Sequence, residues 1–382
     1  MRYADLHIHI GRTLSNDPVK ITASRALTLP AILREAFGPK GLHIIAPVDC
    51  AAPGVIAELR AMVHAGELTE APGGGLLWES NRLVILGCEV EAAVGRGRCH
   101  LISYFPTLQA VTQYSQILAQ HMTNINLSSQ RVDLSPEALG EITQSLDGLL
   151  VPAHAFTPHR GLYGSCLDSW REAFTAKPLA VELGLSADAS LAGRLEELAE
   201  ATFLSNSDAH SLDRIAREHN AFQLEEVSFA AFAAALRSEG NCRLLANYGL
   251  DPRLGKYYRS YCPNCGQTRQ PPPVSVCSVC GKKVIVGVLD RISQLATAST
   301  PVQRPPYYHQ VPLRMLPGCG PRTMERLLRA FGTEMNILHH VPAEDLRRVA
   351  NEQLVELIIA ARGGQLAIEP GGGGRYGRVV SD

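Results

Sequence analysis

Apolar residues in the first two thirds of the chain fall into short runs separated by amphipathic stretches. HIIAPV (43–48), RLVILG (82–87), HLISYF (100–105), GLLVPA (148–153), LAVELG (179–184) and ATFLSN (201–206) have the length and composition of buried strands. Between them, 54–65, 108–121 and 190–201 carry apolar positions at helical spacing. Ser135-Pro136 offers an N-cap followed by proline at the first helical position, and Gly240 stops the alanine-rich run 228–239. Strands alternating with helices over 1–245 predict an α/β fold on a largely parallel sheet.

The pattern changes near Pro252, where Tyr, Arg and Lys take over and a cysteine module begins. The Pro-rich stretch 298–312 predicts a semi-rigid linker, 313–365 a small helical unit, and Gly371–Gly374 a disordered tail over 366–382. The expected division is therefore 1–250, 251–297, 298–312, 313–365 and 366–382. A length of 382 residues suits one large domain with appendages, and 46% hydrophobic with 19% charged residues supplies a sizeable core. No stretch has the makings of a secretory leader or a membrane span, which predicts a cytoplasmic protein with no membrane partner. Six of the ten cysteines are scattered singly, as in a reducing compartment.

The net charge of −1 conceals an asymmetry: residues 1–250 carry −8 and residues 251–382 carry +7. A basic C-terminal third on an acidic body predicts a polyanion at one end and cations held in the other.

Candidate chemistry starts at the N terminus. In Asp5-Leu-His7-Ile-His9 potential ligands recur at every second residue, so a strand places them on one face. Asp49, Glu89, Glu91, His154, Asp208 and His210 follow later apolar runs, and His100 begins one. Ligands at the ends of several strands converge on one rim, where α/β barrels place their active sites. Imidazole and carboxylate without thiolate suit Zn, Mn, Mg or Fe, and such sets hold paired metals for hydrolysis of phosphate esters by an activated water. Glu91 reads as a solvated or supporting carboxylate.

Cys262-x2-Cys265 and Cys277-x2-Cys280, separated by eleven residues, offer four thiolates to one structural zinc. Arg269, Lys282 and Lys283 beside them are candidates for phosphate contact. Further on, Leu316-Pro-Gly318-Cys-Gly320-Pro-Arg322-Thr323 precedes a helical stretch in which Arg322, Arg326 and Arg329 share a face. Glycines at a helix start let backbone N–H groups point at a phosphate, which binds a nucleic-acid backbone without reading its sequence.

The ordered set Asp5-x-His7-x-His9, Asp49, Gly87-x-Glu89, His100, His154 and Asp208-x-His210 resembles the polymerase and histidinol phosphatase (PHP) superfamily over about the first 245 residues. That resemblance implies a distorted seven-stranded β/α barrel. It also implies a first metal on His7, His9, Glu89 and Asp208, a second on Glu89, His100 and His154, and a third site involving His210. Asp49, Glu89, Asp208 and His210 would carry catalysis. Ala52 stands where the superfamily pattern has a histidine, which bears on the third site, so two or three catalytic metals are expected.

The order of a PHP-like domain, a four-cysteine zinc module and a helix-hairpin-helix-like unit, with LSSQR (127–131), PAHAFTP (152–158), NSDAHS (206–211) and ANYGLDPRLGKY (246–257), resembles the endonuclease Q family. The resemblance implies cleavage of DNA, single- or double-stranded, 5′ to a deaminated base (uracil, hypoxanthine, xanthine) or an abasic site. Gly318, Gly320, Arg322, Thr323, Arg326, Arg131, Lys256 and Tyr257 are the expected DNA contacts, with Arg160, Tyr163 and Tyr258 as further candidates. Some family members meet a replication sliding clamp, but no motif for it is present here. The competing reading of the same residues is a phosphatase of small phosphate esters.

Overall fold

A computed structural model describes residues 1–266, 276–297 and 302–380. Arg269, the part of the expected linker at 298–301, and residues 381–382 lie outside the described residues. The architecture rests on strands β1 (Arg2–Ile8), β2 (Ile44–Pro47), β3 (Leu86–Val94), β4 (Gly97–Phe105), β5 (Leu149–Pro152), β6 (Ala180–Glu182), β7 (Thr202–Leu204), β8 (His219–Gln223), β9 (Arg243–Leu250) and β10 (Tyr307–Gln310). One sheet runs β10-β9-β8-β1-β2 and continues through the short strands Arg82–Val84, Leu76–Trp78 and Leu68–Glu70. A second joins Arg131–Val132, β3, β4 and β5, and a third pairs β6 with β7.

Backbone hydrogen bonds link these sheets. Cys50 N donates to Gly87 O at 2.9 Å and Glu89 N to Val48 O at 2.7 Å, joining the end of β2 to β3. Ala155 N reaches Glu182 O at 2.8 Å, and His9 N reaches Ala209 O at 3.0 Å. The residues just past β1, β2, β5 and β7 are thereby drawn together with Glu182 at the end of β6.

The fold is α/β, but its pairing is mixed rather than largely parallel. β1 is parallel to β2 and antiparallel to β8, and β3 and β4 form a long antiparallel hairpin. Apolar runs alone do not distinguish the two, because a strand buried on both faces reads the same in either direction. Helices Pro53–His64 and Leu108–Leu118 form where periodicity predicts them, and Pro136–Ser145 follows the Ser135-Pro136 start signal, the Ser135 hydroxyl accepting from Ala138 N as an N-cap. The stretch 190–201 yields only a short helix, Ala189–Ala192, and a 3-10 turn at Glu196–Leu198.

Two expectations for the C-terminal third need correction. Part of the linker, Tyr307–Gln310, is an edge strand parallel to β9, with Asn247 opposite Tyr307 and Leu250 opposite Gln310. Tyrosines favour strands, and proline is tolerated at an edge, where Pro306 lends only its carbonyl, accepting from Asn247 N at 3.0 Å. The tail is not disordered through residue 380: Ile368–Glu369 pairs with Arg378–Val379, and Gly371 N and Gly377 N donate to Arg253 O and Leu254 O at 2.6 and 2.9 Å. A Cβ at Gly377 would lie 2.7 Å from Arg253 O, so glycine here serves close approach rather than flexibility.

Helices Pro321–Phe331, Glu334–His339, Ala343–Arg347 and Glu352–Arg362 form the C-terminal unit. Its docking is polar as well as apolar. Lys40 Nζ pairs with Glu334 Oε1 at 2.8 Å with both side chains buried, and Tyr3 OH lies 3.1 Å from His340 Nε2. Removing one partner of a buried pair costs about 3–5 kcal/mol, so this contact fixes the unit against the body.

Glu218 gives a pH signature. Burial pushes its carboxyl up to about 8; Oε1 accepts from Leu250 N at 2.8 Å, while Oε2 is buried without a partner. The folded state therefore holds a proton that the unfolded chain, with a carboxyl near about 4.3, releases earlier. The resulting stabilisation is complete below the unfolded value and is lost as pH rises through about 8. Glu218→Gln keeps the acceptor and removes the titration. Thermal melts at pH 5 and pH 8 are expected to differ less for this variant than for the parent, by about 3 kcal/mol of unfolding free energy; equal slopes would refute the assignment.

Candidate metal centre and nucleic-acid interface

The side chains that alternate along β1 separate cleanly. Ala4 and Leu6 join an apolar cluster with Ile44, Ala46, Ile102 and Val151, while His7 and His9 face the converging strand ends. His7 Nε2 lies 3.5 Å from Glu89 Oε1 and 3.6 Å from Asp208 Oδ1, and His9 Nε2 lies 3.6 Å from Glu89 Oε2 and 3.5 Å from Asp208 Oδ1. Across the carboxylate, Glu89 Oε1 is 2.9 Å from His100 Nδ1 and 3.6 Å from His154 Nε2. His210 Nδ1 is 3.4 Å from Asp208 Oδ1. Three clusters result: His7, His9 and Glu89; His9, Asp208 and His210; Glu89, His100 and His154.

These separations fit divalent ions better than hydrogen bonds. Two donors at about 2.1 Å from one tetrahedral cation stand about 3.4 Å apart, close to most of the distances here. His7 Nε2 and His9 Nε2 face each other at 3.3 Å, and Glu89 Oε1 is buried without a hydrogen bond. Burial alone would raise the Glu89 carboxyl, but His100 and Lys20 beside it hold it well below the usual carboxylate range. Asp208 behaves alike: burial raises it, and the hydrogen bond with His9 and the charge of His7 more than offset that. Both stay ionised, as ligands must.

The groups behind the cluster orient it. Glu182, buried at the end of β6, accepts from His7 Nδ1 at 3.0 Å, from His154 N at 3.0 Å and from Asn206 Nδ2 at 2.8 Å. Asp49 is expected among the catalytic groups, but the structure holds its carboxylate outside the three clusters. It faces His9 Nδ1 at 3.1 Å and accepts from Ile10 N and the Ser128 hydroxyl, so its place is that of an acceptor fixing the His9 ring. Asp5 faces the Ser207 and Ala216 amides rather than the clusters, and burial pushes its carboxyl up to about 6. Glu91 pairs with Arg98 and Arg160. Two cluster members, His154 (φ 29°) and Asp208 (φ 45°), sit in the sparsely populated left-handed region, and strain of that kind gathers at functional sites. At Gly184 (φ 79°) a Cβ would lie 2.9 Å from His154 Cβ, so the turn after β6 can approach His154 only as glycine.

The clusters floor a cavity of about 660 Å³. Lys20, whose Nζ lies 3.2 Å from Glu89 Oε2, and Arg160, Lys256, Tyr257 and Tyr376 complete its walls. Of the expected DNA contacts, Lys256 and Tyr257 are thus at the metal pocket. Arg131 is exposed one residue beyond Gln130 of the pocket wall. Gly318 (φ 83°) and Gly320 precede helix Pro321–Phe331, and Arg322 and Arg326 are exposed on it, Thr323 half-buried. Tyr163 is buried, its hydroxyl 2.7 Å from Glu197 Oε1. Sequence reasoning missed Glu182, Lys20, Arg217 and Tyr376. For Glu182 a signal existed, since a lone carboxylate inside the apolar run LAVELG must find a partner if it is buried.

The four cysteines gather with Sγ separations of 3.4 Å (Cys262–Cys280), 3.5 Å (Cys265–Cys277) and 3.9 Å (Cys265–Cys280). Thiolates at about 2.3 Å from one zinc stand about 3.8 Å apart. Among the described residues their local apolar core is Val284 and the cysteines themselves. Cys262→Ser is expected to lower zinc content by one ion per chain and to open the module to proteolysis, since structural zinc contributes about 10–16 kcal/mol. Unchanged zinc content would contradict the assignment.

An α/β fold whose strand ends gather histidines and carboxylates in this way defines a metal-dependent hydrolase. No family model matches the chain. It is 44% identical over 386 aligned residues to the uncharacterized protein YqxK of Bacillus subtilis, covering 99% of this chain and 98% of that protein. The lesion-specific endonuclease PfuEndoQ from Pyrococcus furiosus superimposes with a TM-score of 0.86 and 34% identity, over 99% of this chain and 94% of that one. An endonuclease Q crystallised with a 27-mer duplex carrying an abasic lesion at its active site gives a TM-score of 0.87 and 33% identity, over 100% and 96%. The chain belongs to the endonuclease Q family.

Among the described residues no helix is long and apolar enough to cross a membrane.

Proposed function

We propose that this protein is a DNA repair endonuclease that hydrolyses the phosphodiester 5′ to a deaminated base (uracil, hypoxanthine or xanthine) or an abasic site. The observation that carries the proposal is the His and carboxylate floor of a cavity about 660 Å³ in volume, in a chain that matches endonuclease Q along its whole length. The backbone bonds linking β1, β2, β3, β4, β5, β6 and β7 support the distorted seven-stranded barrel that the PHP resemblance implies.

In this reading His7, His9, Glu89 and Asp208 would hold one divalent ion, Glu89, His100 and His154 a second, and His210 beside Asp208 would contribute to a third. When bound, such ions bring a water's pKa near neutrality and offset charge on the attacked phosphate. The protein's own part is orientation and charge. Glu182 and Asp49 fix the ring planes of His7 and His9, and Lys20 places a cation beside Glu89. Lys256 and Arg160 at the cavity wall suit the phosphates on either side of the cut. A target nucleotide extruded from the helix enters the cavity, where its Watson–Crick edge is tested, because deamination turns an amine donor into a carbonyl acceptor. The amides at Gly318 and Gly320, with Arg322, Thr323 and Arg326, grip the backbone at a distance as a helix-hairpin-helix does.

The test compares end-labelled duplexes with and without a single lesion, incubated with Mg2+ or Mn2+. Incision confined to lesion-bearing strands supports the proposal. Intact DNA together with turnover of nitrophenyl phosphate would replace it by a small-ester phosphatase.

A further inference from the structure

We infer that the C-terminal strap 370–377 positions the metal centre: Tyr376 braces Arg217, and Arg217 holds the backbone of Asp208. The inference rests on the reading of Asp208 as a metal ligand. Asp208 sits at φ 45°, a conformation an L side chain keeps only when its surroundings enforce it. The enforcing group on one side is Arg217, which is 8% exposed. Its Nε donates to Ser207 O at 2.7 Å and its Nη2 to Asp208 O at 3.2 Å, so the planar guanidinium spans consecutive carbonyls of the strained segment. The Asp208 carbonyl is shared with His210 Nδ1 at 3.1 Å, so backbone and ligand ring are set by the same contact.

The remaining guanidinium nitrogen, Nη1, donates to Tyr376 OH at 2.8 Å. Tyr376 is in turn fixed from two directions. Lys256 Nζ stands 4.6 Å from its ring centroid, and the strap is sewn to 253–256 by Gly371 N to Arg253 O, Gly374 N to Lys256 O and Gly377 N to Leu254 O. A Cβ at Gly371 would come within 2.5 Å of Gly377 N, so the glycine run is what lets the strap fold this tightly. A residue near the end of the chain thereby completes the hydrogen-bonding of an arginine whose other donors define the geometry of a ligand. Without the phenol oxygen, Nη1 loses its acceptor in a largely buried place, and the fork no longer has one preferred orientation. Tyr376 is thus a positioning residue, acting through Arg217.

Tyr376→Phe in the full-length chain removes the hydroxyl and keeps the ring, the cation contact and the strap. Mn2+ binding, followed by the electron paramagnetic resonance of free Mn2+ after removal of exchangeable metal, is expected to weaken about tenfold, the range for groups that orient a metal ligand. On a lesion-bearing duplex kcat should fall about tenfold with KM unchanged. Arg217→Lys should show the same loss, and the double variant no more than either single one, because the two act as one unit. Mn2+ affinity equal to that of the parent would overturn the inference, as would a rise in KM with kcat unchanged, which would make Tyr376 a contact to DNA. The Mn2+ arm needs no DNA cleavage, so a parent protein that leaves lesion DNA intact would count against the proposed function alone.

Discussion

His7→Ala is expected to reduce strand cleavage by about a thousandfold or more while leaving DNA affinity within about twofold. The ring is fully buried, its Nε2 faces both Glu89 and Asp208, and its Nδ1 is committed to Glu182. Alanine therefore removes one nitrogen of the ligand set, and with it much of the affinity for the divalent ion that would balance the charges of Glu89 and Asp208. In the proposed reading the DNA backbone is held by Arg160, Lys256 and the unit at 313–365 rather than by His7, so binding should persist. Asp208→Asn should behave alike. Single-turnover cleavage of a lesion duplex and fluorescence anisotropy with the same duplex separate the two quantities, and parallel loss of both would mean that His7 supports the fold rather than the reaction.

Glu182→Gln comes next in size, with an expected loss of about 10- to 100-fold in metal affinity and in kcat. The carboxylate serves three donors: His7 Nδ1, His154 N and Asn206 Nδ2. An amide has one acceptor oxygen where the carboxylate has two, so one donor must face an NH2 group. Because His7 and His154 belong to different clusters, both metal equivalents are expected to weaken together in an Mn2+ titration. A variant that binds the first equivalent normally and loses only the second would show that Glu182 serves His154 alone.

The alternation in Asp5-x-His7-x-His9 was legible because a strand has a period of two and its faces separate by chemistry. Even so, it does not tell a ligand from a structural carboxylate. Asp5 shares the strand face with His7, yet it serves the Ser207 and Ala216 amides, more than 200 residues away in sequence. Glu182 is hidden for the same reason, since its partner His7 lies 175 residues upstream. Asp49 shows a related limit: ligand and orienting acceptor demand the same residue type, and only the position of His9 Nδ1 decides between them. The C-terminal third misleads through composition. Prolines before Tyr307 and glycines at 371–374 have the content of linkers, but one flanks an edge strand and the other permits close backbone approach.

The central claim is cleavage at one bond, and mapping that bond tests it most directly. Duplexes 5′-labelled on one strand and carrying one uracil, one hypoxanthine, one abasic site or no lesion would be incubated with the full-length protein and Mg2+ or Mn2+, and the products sized to the nucleotide. A single product ending immediately 5′ of the lesion is expected in the first three duplexes and none in the fourth. Cutting at many positions regardless of lesion, or intact strands throughout with the metal content verified, would contradict it.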